Sequence, residues 1–415
     1  MRLHSGWLVR GLASAIALAA CAAPAPAADQ LLTSLITSYN TTGRRLAGEL
    51  AKAPGNIVLS PASIGTVMAM TFSGARGETA RQMASALAFN ADREEIDHAN
   101  RALLAILAGA EQPAGPDNAV PPSPPARLAI ANALFVIKDG VIGNDYMAVV
   151  KERYSGEVFA AAKLDEINTW VRDRTEGKID TILDRLSPNS LAVLLDAIYF
   201  KAVWAQPFHR ELTAEAAFHL APAQSVPVPM MRNAGRYAAV AGDGFKAIRI
   251  PYANPALDMI VMVLVVPDEI DGLAAVAQRL GAEQQAKLFV ALADQPARPI
   301  TLAMPRFKAT YGADLVAAFK QMGMKLAFDL FKADFSGMTG KPRSEGAIAI
   351  SQIVHKVVLE VAEEGTEAAA ATAVEMLARS ALQPEPLRVD RPFLFFITDT
   401  TTGAVLFEGR IVDPR

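Results

Sequence analysis

The sequence predicts an α+β fold built as one large domain, and three observations carry that prediction. Strand-like and helix-like segments follow one another in irregular order, without the strict alternation of a βαβ array. Among 415 residues only the Pro-rich run Pro113 to Pro125 interrupts the pattern, and it reads as a surface loop at about 112–126 and not as a linker. Hydrophobic residues make up 52% of the chain against 20% charged, ample for one substantial core. Neither an internal repeat nor a heptad array is present.

Residues 1–28 read as a targeting leader. Arg2 and Arg10 precede the apolar stretch Gly11 to Ala20, and Cys-Ala-Ala-Pro-Ala-Pro-Ala-Ala follows, the layout of an export signal. Residues 29–415 are then the folded domain, working in the envelope, the periplasm or outside the cell. Cys21 follows Leu18-Ala19-Ala20, which resembles the bacterial lipobox, whose cysteine is lipidated and becomes the first mature residue; membrane association through lipidated Cys21 is the expectation. The alternative is an ordinary cut after Ala27 or Ala28. Either way the single cysteine leaves the mature chain without disulfides, so stability must come from the core.

The folded elements can be taken in order. Asn56-Ile-Val-Leu-Ser-Pro-Ala-Ser-Ile reads as a short strand followed by a Ser-Pro helix start and an apolar helix through Met70. Asn132-Ala-Leu-Phe-Val is strand-like, Ile167 to Thr175 is a helix ended by Gly177, and Leu194 to Trp204 is a long strand. Met259 to Pro267 is too short to span a bilayer and reads as a buried strand. Phe393-Leu-Phe-Phe-Ile-Thr and Ala404 to Arg410, separated by the polar turn Asp399 to Gly403, predict a buried hairpin.

One window resists assignment. Glu363 to Ser380 is rich in Ala, Glu, Met, Leu and Arg, and propensity on this window alone favours a helix. Every second residue from Thr366 (Ala368, Ala370, Thr372, Val374, Met376) is nevertheless uncharged, while Glu367 and Glu375 fall on the opposite face, the pattern of a half-buried strand. A segment with two states is one resolution of that conflict.

Signals of catalysis are missing. The chain has no Gly-x-Ser-x-Gly elbow, His-Glu-x-x-His pair or Gly-x-Gly-x-x-Gly fingerprint, and Gly337 to Lys341 only partly imitates a phosphate loop. His98, His209, His219 and His355 are widely spaced, and the first three read as structural. No enzyme class, metal or organic cofactor is signalled. A net charge of −3 gives no electrostatic reason to expect nucleic acid, and no basic helix suggests a polyanion site.

Taken together, Asn56 to Ile64, Tyr199-Phe200-Lys201 to Trp204, Ala333-Asp-Phe-Ser-Gly-Met, the Glu363 to Thr366 segment and Val389-Asp-Arg-Pro-Phe-Leu-Phe resemble the serpins, the large serine-protease-inhibitor family, over about Leu46 to Pro414. The resemblance implies three β-sheets, about nine helices and an exposed reactive loop, here about 363–387, in a monomer. It implies an inhibitor consumed in the act: the target protease cleaves the loop, and before the acyl-enzyme hydrolyses, the loop's N-terminal arm inserts into the main sheet. In the hinge Glu363, Glu364, Gly365, Thr366, Glu367, Ala368, Ala369, Ala370 and Ala371, Gly365 and Thr366 are neither prolyl nor charged, and the face running from Thr366 to Met376 is uncharged. Burial of an unpaired charge would cost several kcal/mol, so this loop resembles those of inhibitory members. A non-inhibitory binding or structural serpin is the alternative.

In inhibitory serpins the residue before the cut bond usually lies sixteen positions after the hinge glutamate, which implies Arg379-Ser380. Arginine followed by serine suits a trypsin-like serine protease, whose acidic pocket pairs bidentately with guanidinium. With another register, Met376 or Leu377 would direct the loop to chymotrypsin- or elastase-like enzymes, and some serpins take cysteine proteases. Ser60, Ser63 and His355 match the family's shutter beneath the opening strands, and Trp204 its breach, where the loop enters. Arg306 would pair with Glu363. The chain departs from the family at Asp196, where the shutter usually has asparagine, and at Ala202, where glycine usually follows Lys201. Asp196 beside His355 would form a carboxylate–imidazole pair, and sheet opening would then depend on pH through histidine charge.

Overall fold

The computed structural model describes residues 25–109, 127–137, 142–160, 163–186, 192–253, 260–345, 347–366 and 384–415. The Pro-rich run Pro113 to Pro125 lies outside them. The strands are β1 (Ile57–Leu59), β2 (Arg127–Val136), β3 (Glu157–Ala160), β4 (Ala192–Val203), β5 (Ala214–Ala221), β6 (Gln224–Gly242), β7 (Phe245–Pro251), β8 (Ile260–Pro267), β9 (Arg298–Pro305), β10 (Phe307–Asp314), β11 (Ile350–Val361), β12 (Gly365–Thr366), β13 (Glu385–Arg388), β14 (Phe393–Asp399) and β15 (Val405–Ile411).

The main sheet runs β10-β11-β12-β4-β2-β3. Its centre is unusual, because β11 and β4 pair parallel to each other from Ile350 opposite Ala192 to Val358 opposite Tyr199, within a sheet whose β10–β11 and β2–β4 ladders are antiparallel. The two-residue β12 sits between them at one end, antiparallel to both. Nine further strands are joined by hydrogen bonds through β6, which serves three ladders: residues 224–230 pair with β5, residues 230–237 with β9, and residues 238–242 with β7. That single bent strand separates the β5–β6–β9–β13 sheet from the β1–β15–β14–β8–β7 sheet, which makes three sheets in all.

Both faces of the main sheet are covered, and this explains why β4 is a continuous apolar run and not an alternating one. Val193, Leu195 and Ala197 pack with Ile167 and Val171 of the helix Leu164–Arg174 and with Ile179, Ile182 and Leu183. Leu194, Ile198 and Phe200 point the other way, into the main core that includes α2 (Pro61–Gly74). All of α2 is buried, as a helix apolar on every side must be. Ser60 caps it, its side chain accepting the Ser63 amide, with Pro61 in the first turn where a missing N–H costs nothing.

The buried hairpin forms as the sequence predicts: β14 and β15 are antiparallel, and Asp399 accepts the Thr401 and Thr402 amides at a turn completed by Gly403 at φ 76°. β8 is buried at every residue. The described residues contain ten α-helices, against the nine or so expected; short pieces such as the four-residue Ser336–Thr339 account for the difference.

Glu408 on β15 is fully buried, with Arg44 of α1 (Ala25–Leu50) 3.4 Å away. Burial raises its carboxyl above the ordinary range, and Arg44 only partly opposes that. A carboxyl raised in the folded state binds its proton more tightly than the unfolded chain does, so its contribution to stability is complete below the unfolded value and is lost as pH rises through the folded one. Glu408→Gln should therefore lack that loss: its urea midpoint should exceed the native one at neutral pH and converge with it near pH ~4. Midpoints that differ equally at both pH values would contradict this.

Candidate functional site

The two-residue β12 is where the ambiguous window enters the fold. Gly365 lies opposite Val203, and Thr366 opposite Ala202 on one side and Val361 on the other. Both β12 residues are buried. Gly365 holds φ at 152°, a conformation L side chains rarely adopt, and a Cβ there would lie against the Ala202 carbonyl oxygen and the Val203 Cα. Ala202, the departure from the family's usual glycine, is accommodated opposite Thr366 and is itself buried.

The seat is held from several directions. The Trp204 amide donates to the Glu364 carbonyl at 2.8 Å, the Phe208 amide to the Glu363 carbonyl at 2.8 Å, and the Trp204 indole to the Ala362 carbonyl at 2.9 Å. Tyr252, stacked on Trp204 at 4.3 Å between ring centroids, shares a 2.8 Å hydrogen bond with the Thr366 hydroxyl. Glu363 is buried, accepts a 2.9 Å bond from Thr213 and lies 3.6 Å from Arg306, which is half exposed. Glu364 pairs with Arg210. These charges face a polar cleft of about 840 Å³ that also takes in Lys201 and Glu360.

Further down the same seam, between strands that are in direct contact, lies a buried polar cluster. Asp196 of β4 and His355 of β11 are opposite each other in register, and His355 Nδ1 is 3.0 Å from Asp196 Oδ2. The Ser63 hydroxyl, at the start of α2, donates to the other Asp196 oxygen and also lies 3.2 Å from Asn132 Oδ1 on β2. Asn132 Nδ2 reaches the Ser63 carbonyl at 3.4 Å. Ser63, Asp196 and His355 are fully out of solvent, and His355 Nε2 has no partner among the described residues. Such a cluster stabilises the closed seam only while both strands stay together, since separating them strands a carboxylate in an apolar core.

Of the residues singled out from the sequence, Ser63, Asp196 and His355 meet directly. Ser60 caps α2 one turn away and does not cross the seam. Trp204, Arg306, Glu363, Glu364, Gly365 and Thr366 converge at the hinge. Glu367, Ala368 to Ala371, the reactive bond Arg379-Ser380, and Cys21 lie outside the described residues. Arg210, Thr213, Tyr252 and Asn132 escaped the sequence reading. No motif marks the first three, which only the folding of 204–213 and 252 around the hinge brings near, while Asn132 carries no signal beyond standing in a strand-like segment. His98 and His209 are partly exposed beside Glu94 and Glu211, and His219 lies on β5. Among the described residues no three His, Cys, Asp or Glu side chains converge as a metal set.

This geometry has counterparts in known proteins. The family model for serpins (serine protease inhibitors) matches residues 37–414. A serpin-like protein of Thermococcus kodakarensis is 34% identical over 391 residues, covering 92% of this chain and 86% of its own length. Serpin B6 of Pongo abelii is 33% identical over 380 residues, covering 86% and 93%. Among solved structures, human thyroxine-binding globulin superposes with a TM-score of 0.80 at 27% identity, over 92% of this chain and 99% of its own. Serpin48 of the insect Tenebrio molitor does so with 0.77 at 25%, over 95% and 100%. With three sheets, a parallel seam, a hinge seated at its end and a family match over nearly the whole chain, this protein belongs to the serpin family.

Proposed function

We propose that this serpin is a suicide inhibitor of trypsin-like serine endopeptidases. Serpins are generally protease inhibitors that bind their target enzymes, and are not enzymes themselves. The observation that carries the reading is β12: the hinge already occupies the first two positions of a strand between β4 and β11, with a glycine where the backbone needs one and no proline or exposed charge in the seat.

The mechanism follows from the seam. The protease serine attacks the Arg379 carbonyl, the bond to Ser380 breaks, and Ser380 leaves with a free amine while Arg379 stays esterified to the enzyme. Freed at that end, the chain beyond Thr366 can continue antiparallel between β4 and β11, replacing their parallel pairing. Glu367 to Ala378 comprises twelve residues, the same number as β4, so at about 3.3 Å each the new strand spans roughly 40 Å and carries the acyl-enzyme along the sheet. Each register step buries the uncharged face of the arm, leaves Glu367 and Glu375 on the other, and gains two ladders of hydrogen bonds.

Mixing the mature protein with a slight deficit of trypsin should give a denaturant-resistant complex on a gel and release a peptide beginning at Ser380. Clean cleavage with no complex, repeated with elastase- and subtilisin-like enzymes, would overturn the inhibitory reading. The likeness to thyroxine-binding globulin favours a second reading, a binding protein on the same scaffold. Thermal melting before and after loop cleavage separates the two, because only an inserting loop should raise the melting temperature steeply. For the leader we propose export with lipid attachment at Cys21, which labelling with radioactive palmitate checks.

A further inference from the structure

Three arginines share one outward face of the sheet from which the reactive loop returns to the fold. Along β6, Arg232, Ala234 and Arg236 are exposed while residues 231, 233, 235 and 237 are buried. On β9, Ala303 pairs with Arg232 on one side and with Arg388 of β13 on the other, so those arginines flank it on a single face. Two strand spacings put their Cα atoms roughly 10 Å apart. Arg236 continues the row opposite Pro299. The neighbouring positions on this face, Ala234, Thr301 and Pro386, are uncharged.

The arginines are only lightly neutralised. Arg388 shares Asp390, at 3.3 Å, with Arg391 at 3.0 Å. Arg236 donates to the Ala297 backbone carbonyl and to no carboxylate. Arg232 has neither a hydrogen bond nor an ion pair among the described residues. Glu385, at the start of β13, is held by Arg298 at 3.1 Å.

We propose that the Arg232–Arg236–Arg388 face is a docking exosite for the target protease, and that the target carries acidic residues beside its active-site cleft. This rests on the inhibitory reading of the loop. Arg388 lies nine residues after Arg379, within at most about 30 Å of extended chain. A protease of about 220 residues has a radius of gyration of about 17 Å, so its body, engaged at the loop, overhangs the strand into which that loop leads. Exposed, weakly paired charges at the rim of a contact act on encounter more than on the lifetime of the complex. The face therefore selects among enzymes that would all accept arginine at the cut bond, by favouring approach of an anionic one.

The test compares an anionic with a cationic trypsin, each also prepared with its active-site serine replaced by alanine so that docking is read without cleavage. The native chain should associate about tenfold faster with the anionic form at about 50 mM salt, and the advantage should shrink to under about twofold at about 500 mM. In Arg232→Gln/Arg236→Gln/Arg388→Gln, confirmed folded by its melting temperature, the anionic-to-cationic rate ratio should fall close to one. A ratio that survives the triple substitution, or that starts at one in the native chain, overturns the exosite. Retention on a heparin column that depends on the three arginines, without discrimination between the trypsins, also overturns it and assigns the face to a polyanion. Active trypsins keep the two hypotheses apart: differential docking without a covalent complex sinks the inhibitory mechanism alone, and a covalent complex without differential docking sinks the exosite alone.

Discussion

Thr366→Arg is expected to convert the chain from inhibitor to substrate. Trypsin should still cut the loop, because Arg379 lies thirteen residues away, while the yield of covalent complex falls by about tenfold or more. Thr366 is fully buried between β4 and β11, and its hydroxyl is bonded to Tyr252. A guanidinium in that position would be buried beside Trp204 and Tyr252 with no carboxylate aimed at it, a penalty of about 3–5 kcal/mol for an uncompensated charge. Because Thr366 is already seated in the resting sheet, the penalty should expel the hinge from its seat, and insertion must then re-seat it at that cost before the acyl-enzyme hydrolyses. Partition between trapping and release is therefore sensitive to it, and gel densitometry of complex against cleaved inhibitor reads the partition directly. Thr366→Ser keeps the hydroxyl and should retain most of the complex. Equal yields from the arginine and serine variants would show that trapping does not depend on this seat.

Asp196→Ala should cost about 3–5 kcal/mol in equilibrium unfolding, among the largest effects available from one side chain in this fold. The carboxylate has no solvent exposure, and its loss leaves the Ser63 hydroxyl with only Asn132, and His355 with no partner among the described residues. Asp196→Asn restores the amide that the family usually carries and keeps an acceptor for Ser63, so its cost should be about 1 kcal/mol. The pair is directly cross-strand on the two strands that must part.

The family and most of the elements were legible in the chain because they depend on local rules. Ser60-Pro61 before an apolar run fixes a helix start through a cap and a missing N–H, and the structure places that helix at Pro61–Gly74. Phe393 to Thr398 and Val405 to Arg410 with a polar turn specify a hairpin through periodicity alone. β4 was legible as a strand, but its apolar continuity could not say which side chains face α2 and which the opposite helix. Asp196 was recognisable as a departure, yet its partners Ser63 and His355 are 133 and 159 positions away, distances over which sequence carries no register.

What the sequence determined by itself is the serpin family, the α+β class and the conflict of helix and strand signals in the hinge window, because composition and period-two patterning are properties of short segments. What only the tertiary structure decided is the outcome at the hinge, where helix propensity loses to strand pairing at Gly365 and Thr366. Two strands that pair parallel as far as Val358 and Tyr199, and beyond that admit β12 between them, supply hydrogen bonds and apolar burial that no local propensity can match. The same holds for Arg210, Thr213 and Tyr252, and for the row of arginines flanking the loop's return. They become neighbours only through long-range pairing of strands, and their chemistry is a consequence of that pairing.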